Sequence, residues 1–211
     1  MPAPVVELQR LEHDFAERPV LRGVELRVEP GASLALFGEN GAGKTTLLRI
    51  VAGLLRPSRG EARIEGVPAL TAGPALRRRI GFLSHRPLVW GGLTAGENLR
   101  LVARLYGLPC DATDRALERV GLGASAGVRA RDLSQGQRQR LGVARALVGT
   151  PDLLLLDEPH AGLDGAGSEM LDALLEELRG SATILLATHD HDRGRRLCST
   201  ALTLVGGRLT R

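Results

Sequence analysis

The stretch Ala32-Ser-Leu-Ala-Leu-Phe37-Gly38-Glu-Asn-Gly-Ala-Gly-Lys44-Thr45-Thr46-Leu-Leu-Arg-Ile-Val51 decides the fold. A mostly apolar run ends in a glycine-rich loop, and residues 45–55 then carry helical patterning. In a strand, Gly-rich loop and helix so ordered, successive backbone amides turn inward towards phosphate oxygens, and the helix N-terminus adds its own preference for anions. Gly38-Glu-Asn-Gly-Ala-Gly-Lys44-Thr45 matches the P-loop pattern, in which Lys44 reaches the β- and γ-phosphates and the Thr45 hydroxyl ligates Mg2+. Lys44 is the single lysine among 28 basic residues, and a fork-shaped guanidinium could not replace its compact ammonium there.

Working outward, the apolar run 153–156 ends in Asp157-Glu158, and the run 182–187 ends in Thr188-His189. Between them Leu171, Leu174, Leu175 and Leu178 mark the core face of a helix, with Glu169, Asp172, Glu176 and Glu177 expected mostly on the wet face. Continuous apolar strands alternating with helices predict an α/β fold with a parallel sheet covered on both faces. Residues 24–28 alternate apolar and charged positions, as a half-buried strand does. The middle of the chain is helical in pattern. Thr94 and Glu97 form a capping box before Leu99, Val102, Ala103 and Tyr106; Asp111 or Thr113 is placed to cap a helix through Val120; Ser134 and Gln137 form a second box opening a helix towards Val148. Gly206-Gly207 predicts a closing hairpin.

Composition narrows the function classes. The 211 residues suit one domain, and the apolar runs fall far short of the roughly 18 residues a membrane span needs. No secretory signal is visible at the start of the sequence, so Cys110 and Cys198 are expected as reduced thiols in a cytoplasmic setting. Net charge is +4, and the five aromatics, Phe15, Phe37, Phe82, Trp90 and Tyr106, are too scattered for a base-stacking platform, so no nucleic-acid partner is expected.

A P-loop alone leaves kinases, GTPases and many ATPases open. Asp157 and Glu158 stand at the C-terminal end of a core strand, where α/β sheets place their ligands. Asp157 suits Mg2+, directly or through water, and Glu158 is placed to polarise a water for attack on a γ-phosphate. Leu133-Ser-Gln-Gly-Gln137, followed by Arg-Gln-Arg-Leu-Gly-Val-Ala-Arg-Ala, then resembles the signature of ABC transporter nucleotide-binding domains. The family's usual form is Leu-Ser-Gly-Gly-Gln; here Gln135 replaces the first glycine, while Ser134, Gly136 and Gln137 match.

The resemblance covers essentially the whole chain. It implies a P-loop NTPase fold: a RecA-like parallel core at 1–90 and 150–211 with an antiparallel β edge from the N-terminal strands, and a helical subdomain at 91–149 carrying the signature, all within one domain over 1–211. It implies ATP and Mg2+ as ligands, bound by Gly38, Asn40, Gly41, Ala42, Gly43, Lys44, Thr45 and Thr46, with Phe15 stacking on adenine. It also implies a homodimer in which Ser134, Gly136, Gln137 and Asp164 of one chain close over ATP held by the other. Glu158, His189 and Lys44 are the catalytic candidates, and Thr45 and Asp157 the metal ligands. Where the family has glutamine, the chain has His85; an imidazole is a poorer partner than an amide oxygen for so hard an ion. The segment from His85-Arg-Pro to Leu93-Thr-Ala-Gly-Glu-Asn-Leu is similar to the ATP-binding subunits of cytochrome c maturation haem exporters. A separate transmembrane permease and a peripheral place on the cytoplasmic face of the bacterial inner membrane follow from the same resemblance. Leu88, Val89, Trp90 and Leu93 form an apolar cluster suited to core packing or to a groove for a membrane partner's helix, and Arg77, Arg78 and Arg79 read as a solvated face. The rival readings are a soluble ABC ATPase acting on DNA or ribosomes, and an ABC exporter of drugs, lipids or peptides.

Overall fold

A computed structural model describes residues 4–16, 18–109 and 111–210. The chain runs β1 (Val6–Phe15), β2 (Arg18–Val28), β3 (Ser33–Phe37), α1 (Lys44–Val51), β4 (Arg59–Ile64), β5 (Val67–Pro68), α2 (Pro74–Arg77) and β6 (Ile80–Leu83). Three helices follow: α3 (Ala95–Tyr106), α4 (Ala112–Arg119) and α5 (Gln135–Leu147). The last part is β7 (Leu153–Asp157), α6 (Gly165–Leu178), β8 (Thr183–Ala187), α7 (His191–Leu197), β9 (Thr200–Val205) and β10 (Arg208–Thr210).

The core sheet has the order β10-β9-β3-β8-β7-β6. All its pairings are parallel except the closing hairpin of β9 and β10. The side chains divide as a sheet covered on both faces requires. Ala35, Phe37, Leu154, Leu156, Ile184 and Leu186 join one apolar cluster with residues of α3 to α6. Their alternates Leu34, Leu36, Leu153, Leu155, Leu185 and Ala187 join the other, with α1 and the N-terminal strands. Register places the site: Leu36 and Asp157 both stand opposite Ala187, so the segments after β3, β7 and β8 leave the sheet side by side at its C-terminal edge.

The N-terminal strands form the antiparallel part expected of them. They build a second, antiparallel sheet of order β2-β1-β4-β5. It is joined to the core by the Arg22 amide donating to the Gly207 carbonyl at 2.8 Å, and by Arg79, which bonds both carboxylate oxygens of Glu65 at 2.8 Å and also reaches Asp152. Arg79 thus belongs to an ion cluster rather than to a purely solvated face, and Arg77 donates to the Ala72 carbonyl at 2.8 Å.

Local chemistry sets the helix ends. Helix α1 stops at Val51, short of the expected 55, because Gly53 at φ 68 lets Leu54 N–H reach the Arg49 carbonyl at 2.9 Å and its own N–H reach Ile50 at 3.0 Å. Both expected capping boxes form, at Thr94/Glu97 and Ser134/Gln137. Neither candidate caps α4: the Asp111 carboxylate bonds Arg115 instead, and the Thr113 hydroxyl is buried without a partner. Asp172 is not on the wet face of α6; it turns inward, its side chain 14% exposed, to meet His160, Arg193 and Arg196. Cys198 is buried and unpaired, and burial pushes its thiol up to about 12, so it remains protonated. Cys110 lies outside the described residues.

Candidate active site

The segments leaving β3, β7 and β8 open into one cleft of about 760 Å3. Gly38, Asn40, Gly41, Ala42, Gly43, Lys44, Thr45 and Thr46 line it, together with Phe15, His85, Asp157, Glu158 and His189. Gly43 has φ 107, and a Cβ there would lie 3.0 Å from side-chain carbons of both Val20 and Leu21, so only glycine lets the loop pass so close to β2. The Lys44 side chain is buried and its Nζ donates to the carbonyls of Gly38 at 2.7 Å and Glu39 at 3.2 Å, which holds the ammonium across the loop.

Thr45 Oγ1 donates to Asp157 Oδ2 at 2.8 Å, and Asp157 is 1% exposed. A hydroxyl and a carboxylate at this spacing are hard oxygen donors of the kind Mg2+ accepts. Among the described residues no cluster of three or more His, Cys, Asp or Glu could hold a metal by itself. The donor set therefore fits Mg2+ carried in with phosphate and does not fit an all-protein cage. His85 is exposed in the loop after β6 and lines the same cleft.

Glu158 has φ 49, an uncommon conformation for a residue with a side chain. Its N–H donates to the Ala187 carbonyl at 2.9 Å, which extends the β7–β8 ladder one residue and aims the carboxylate into the cleft mouth. There Oε2 lies 2.9 Å from His189 Nδ1. An ionised carboxylate only accepts, so Nδ1 carries the proton in this pair. The Glu158 side chain is 15% exposed and the imidazole 75%. Phe15 at the cleft rim is 48% exposed, its ring T-shaped against His13 with centroids 4.5 Å apart, so an aromatic surface remains free for a planar base.

Ser134, Gly136, Gln137 and Asp164 do not line this cleft. Ser134 Oγ accepts from the Gln137 amide at 3.1 Å and Gln137 Oε1 accepts from the Ser134 amide at 2.9 Å, at the exposed start of α5. Asp164 is exposed and caps α6 through the Gly167 amide at 2.7 Å. The cleft also takes in Val20, Glu39 and Ala161, which sequence reasoning missed. Glu39 could have been found inside the quoted loop, whereas Val20 comes from β2 and nothing local in the sequence marks it. His160, next to Ala161, is half-buried and its Nε2 lies 2.8 Å from Asp172 Oδ1; burial lowers its pKa against the opposing pull of Asp172.

Of the apolar cluster near 90, Val89 packs against the core, while Leu88 and Trp90 are about half exposed. Leu88 borders a groove of about 160 Å3 with Leu54, Tyr106, Arg77, Arg78 and Arg145.

A family model described as ABC transporter matches residues 21–161. The Nod factor export ATP-binding protein I of Cupriavidus pinatubonensis is 37% identical over 97% of this chain and 64% of its own length. The methionine import ATP-binding protein MetN of Caulobacter vibrioides is 36% identical over 97% of this chain and 65% of its own. The chain thus spans just under two thirds of the length of these relatives. A dimeric ATP-binding cassette, solved in a post-hydrolysis state bound to ADP and Pi, superposes with a TM-score of 0.89 at 28% identity, covering 98% of this chain and 97% of that one.

Proposed function

The chain belongs to the ABC transporter family, and from that premise we propose that it is the ATP-binding and ATP-hydrolysing subunit of a transporter, closing with a second copy around two ATP molecules and driving a separate membrane protein. One observation carries this reading: the cleft gathers the P-loop, Asp157, Glu158 and His189, while Ser134, Gly136 and Gln137 form a capped helix start outside it. A helix N-terminus with free amides favours an anion, and in a single chain the phosphates already have their seat. The second copy supplies the reason for the turn. The dimeric, ADP- and Pi-bound state of the solved relative supports the same assembly.

In this reading the loop amides and Lys44 hold the β- and γ-phosphates and Phe15 stacks on the base. Thr45 and Asp157 would hold Mg2+, which would screen the charge on the phosphate oxygens. Glu158 accepts a proton as water oxygen bonds to the γ-phosphorus; the bond to the β–γ bridging oxygen breaks, and ADP and phosphate leave. His189 keeps the carboxylate oriented. The segment 91–149 acts as the helical lobe that brings Ser134 over the neighbouring nucleotide.

No helix among the described residues is long and apolar enough to cross a membrane. In this reading transport is driven through a membrane partner, and the groove beside Leu88 and the exposed Trp90 suit a helix from that partner, with Trp90 as an interface anchor. The proposal sets the subunit at the cytoplasmic face of the bacterial inner membrane, supported by relatives named as export and import ATP-binding proteins. For cargo we favour haem export in cytochrome c assembly, supported by the loop that starts at His85. The relatives, named for Nod factor export and methionine import, support transport without supporting that cargo, and a small exporter of another cargo is the second reading.

The test is to purify the chain from membranes with whatever binds it. The expected result is a permease of the c-type cytochrome pathway and Mg2+-dependent ATP hydrolysis by the complex. Co-purification with ribosomes or DNA, or strong preference for GTP, contradicts the proposal.

A further inference from the structure

We propose that Gln139 is a positioning residue that couples the two half-sites within one protomer, linking the base it uses on its own ATP to the lid it places on its neighbour's. The inference rests on the composite-site reading above. Gln139 lies in α5, five residues after Ser134 and on the same rigid helix, about 7.5 Å along its axis. It is 3% exposed, and its Nε2 donates to the Pro159 carbonyl at 2.8 Å in a fully buried bond. Pro159 immediately follows Glu158 and lies beyond Asp157, the last residue of β7. One hydrogen bond thus joins the residue after the proposed base to the helix whose first turn carries Ser134 and Gln137.

A second contact makes the link stiff. A Cβ on Gly136 would lie 3.2 Å from the Gly162 carbonyl oxygen, and one on Gly162 would lie 2.7 Å from Gln135 Nε2, so the turn opening α5 and the segment after Glu158 already touch. Buried amides and carbonyls are costly to leave unpaired, so a shift of Pro159 carries Gln139 with it rather than breaking the bond. When Glu158 settles against a γ-phosphate and its water, Pro159 moves, Gln139 follows, and the Ser134 turn is reoriented towards the neighbouring chain. Ordinary packing would also explain a buried glutamine, so the test must separate the two.

The experiment uses the full chain carrying Glu158→Gln to stop turnover, with MgATP as ligand, and measures nucleotide affinity of the monomer and the dimer dissociation constant separately. Gln139→Met keeps length and volume and removes the donor. The expected result is monomer ATP affinity within about twofold of the parent and a dimer constant weakened about tenfold, the scale of one hydrogen bond. If Gln139 acts through the Ser134 turn, Ser134→Ala and the Ser134→Ala/Gln139→Met pair should form dimers of equal strength within about twofold, since residues acting as a unit are not additive. Gln139→Leu, which also removes the donor without burying a charge, should repeat the pattern if the Met variant folds poorly. A Met variant that dimerises like its parent, ATP affinity that falls in step with dimerisation, or additive losses with Ser134→Ala would each overturn the coupling. A parent that never dimerises with ATP sinks the composite site itself, and the inference with it.

Discussion

The loop after β3 and the turn that opens α5 are both helix starts, yet Gly43 caps α1 in a left-handed conformation while Ser134 caps α5 in an extended one, and their surroundings differ. The first lies at the C-terminal edge of the parallel sheet, with Lys44 buried and held by the Gly38 and Glu39 carbonyls and with Thr45 bonded to Asp157. The second is exposed, carries a reciprocal box between Ser134 and Gln137, and touches the chain at Gly162. A buried lysine beside a hydroxyl–carboxylate pair inside a cleft suits a seat for phosphates, whereas an exposed, box-capped helix start outside that cleft suits contact with something beyond the chain. In the proposed composite site the first is the seat and the second the lid over a second copy's nucleotide.

Substitutions on the two sides should fail in different ways. Glu158→Gln should lower the rate of hydrolysis by about a hundredfold or more while the ATP-bound dimer persists and accumulates, checked by steady-state turnover and sedimentation. Loss of the dimer together with the rate would break the contrast between seat and lid. Ser134→Ala should weaken the ATP-bound dimer by about tenfold and leave monomer ATP affinity within about twofold, as loss of a helix cap and one anion contact predicts. Were it to weaken monomer binding instead, the turn would belong to its own chain's site. His85→Gln should change ATP affinity by less than about twofold if His85 couples the cleft to the membrane partner rather than holding the metal; a large loss of Mg2+-dependent binding would make it part of the seat.

The smallest effect concerns the segment between seat and lid. Burial lowers the pKa of His160 in the folded chain, so the unfolded chain takes up the proton first as pH falls. Stability is therefore lost below about pH 6.5, the ordinary histidine value. The melting temperature of the parent should drop on going from pH 7 to pH 5 by a few degrees more than that of His160→Gln. Equal drops would show that the imidazole is charged in both states.

Much of this architecture was legible because it is written locally. The apolar runs that became β7 and β8, the glycine loop before Lys44 and the Ser/Thr…Glu/Gln boxes are all contained in a few consecutive residues. The rest depends on partners far away in sequence. The N-terminal strands form their own sheet because β1 pairs with β2 and with β4, and their alternation is obscured by register shifts between Leu8 and Leu11 and between Gln9 and Glu12. Asp172 sits at a position that helical periodicity assigns to water, and only the arrival of His160, Arg193 and Arg196 from other elements turns it inward. Gln139 looked like one more polar residue of an amphipathic helix. Its partner is a carbonyl, which no side-chain pattern reveals.

The claim on which the rest depends is that one triphosphate contacts two copies of the chain. A structure of the Glu158→Gln protein with MgATP tests it most directly. The account predicts phosphates bound by the loop 38–46 of one copy, with Ser134 and Gly136 of the other copy against the γ-phosphate. A nucleotide enclosed by a single copy, with both Ser134 turns facing solvent, would contradict it.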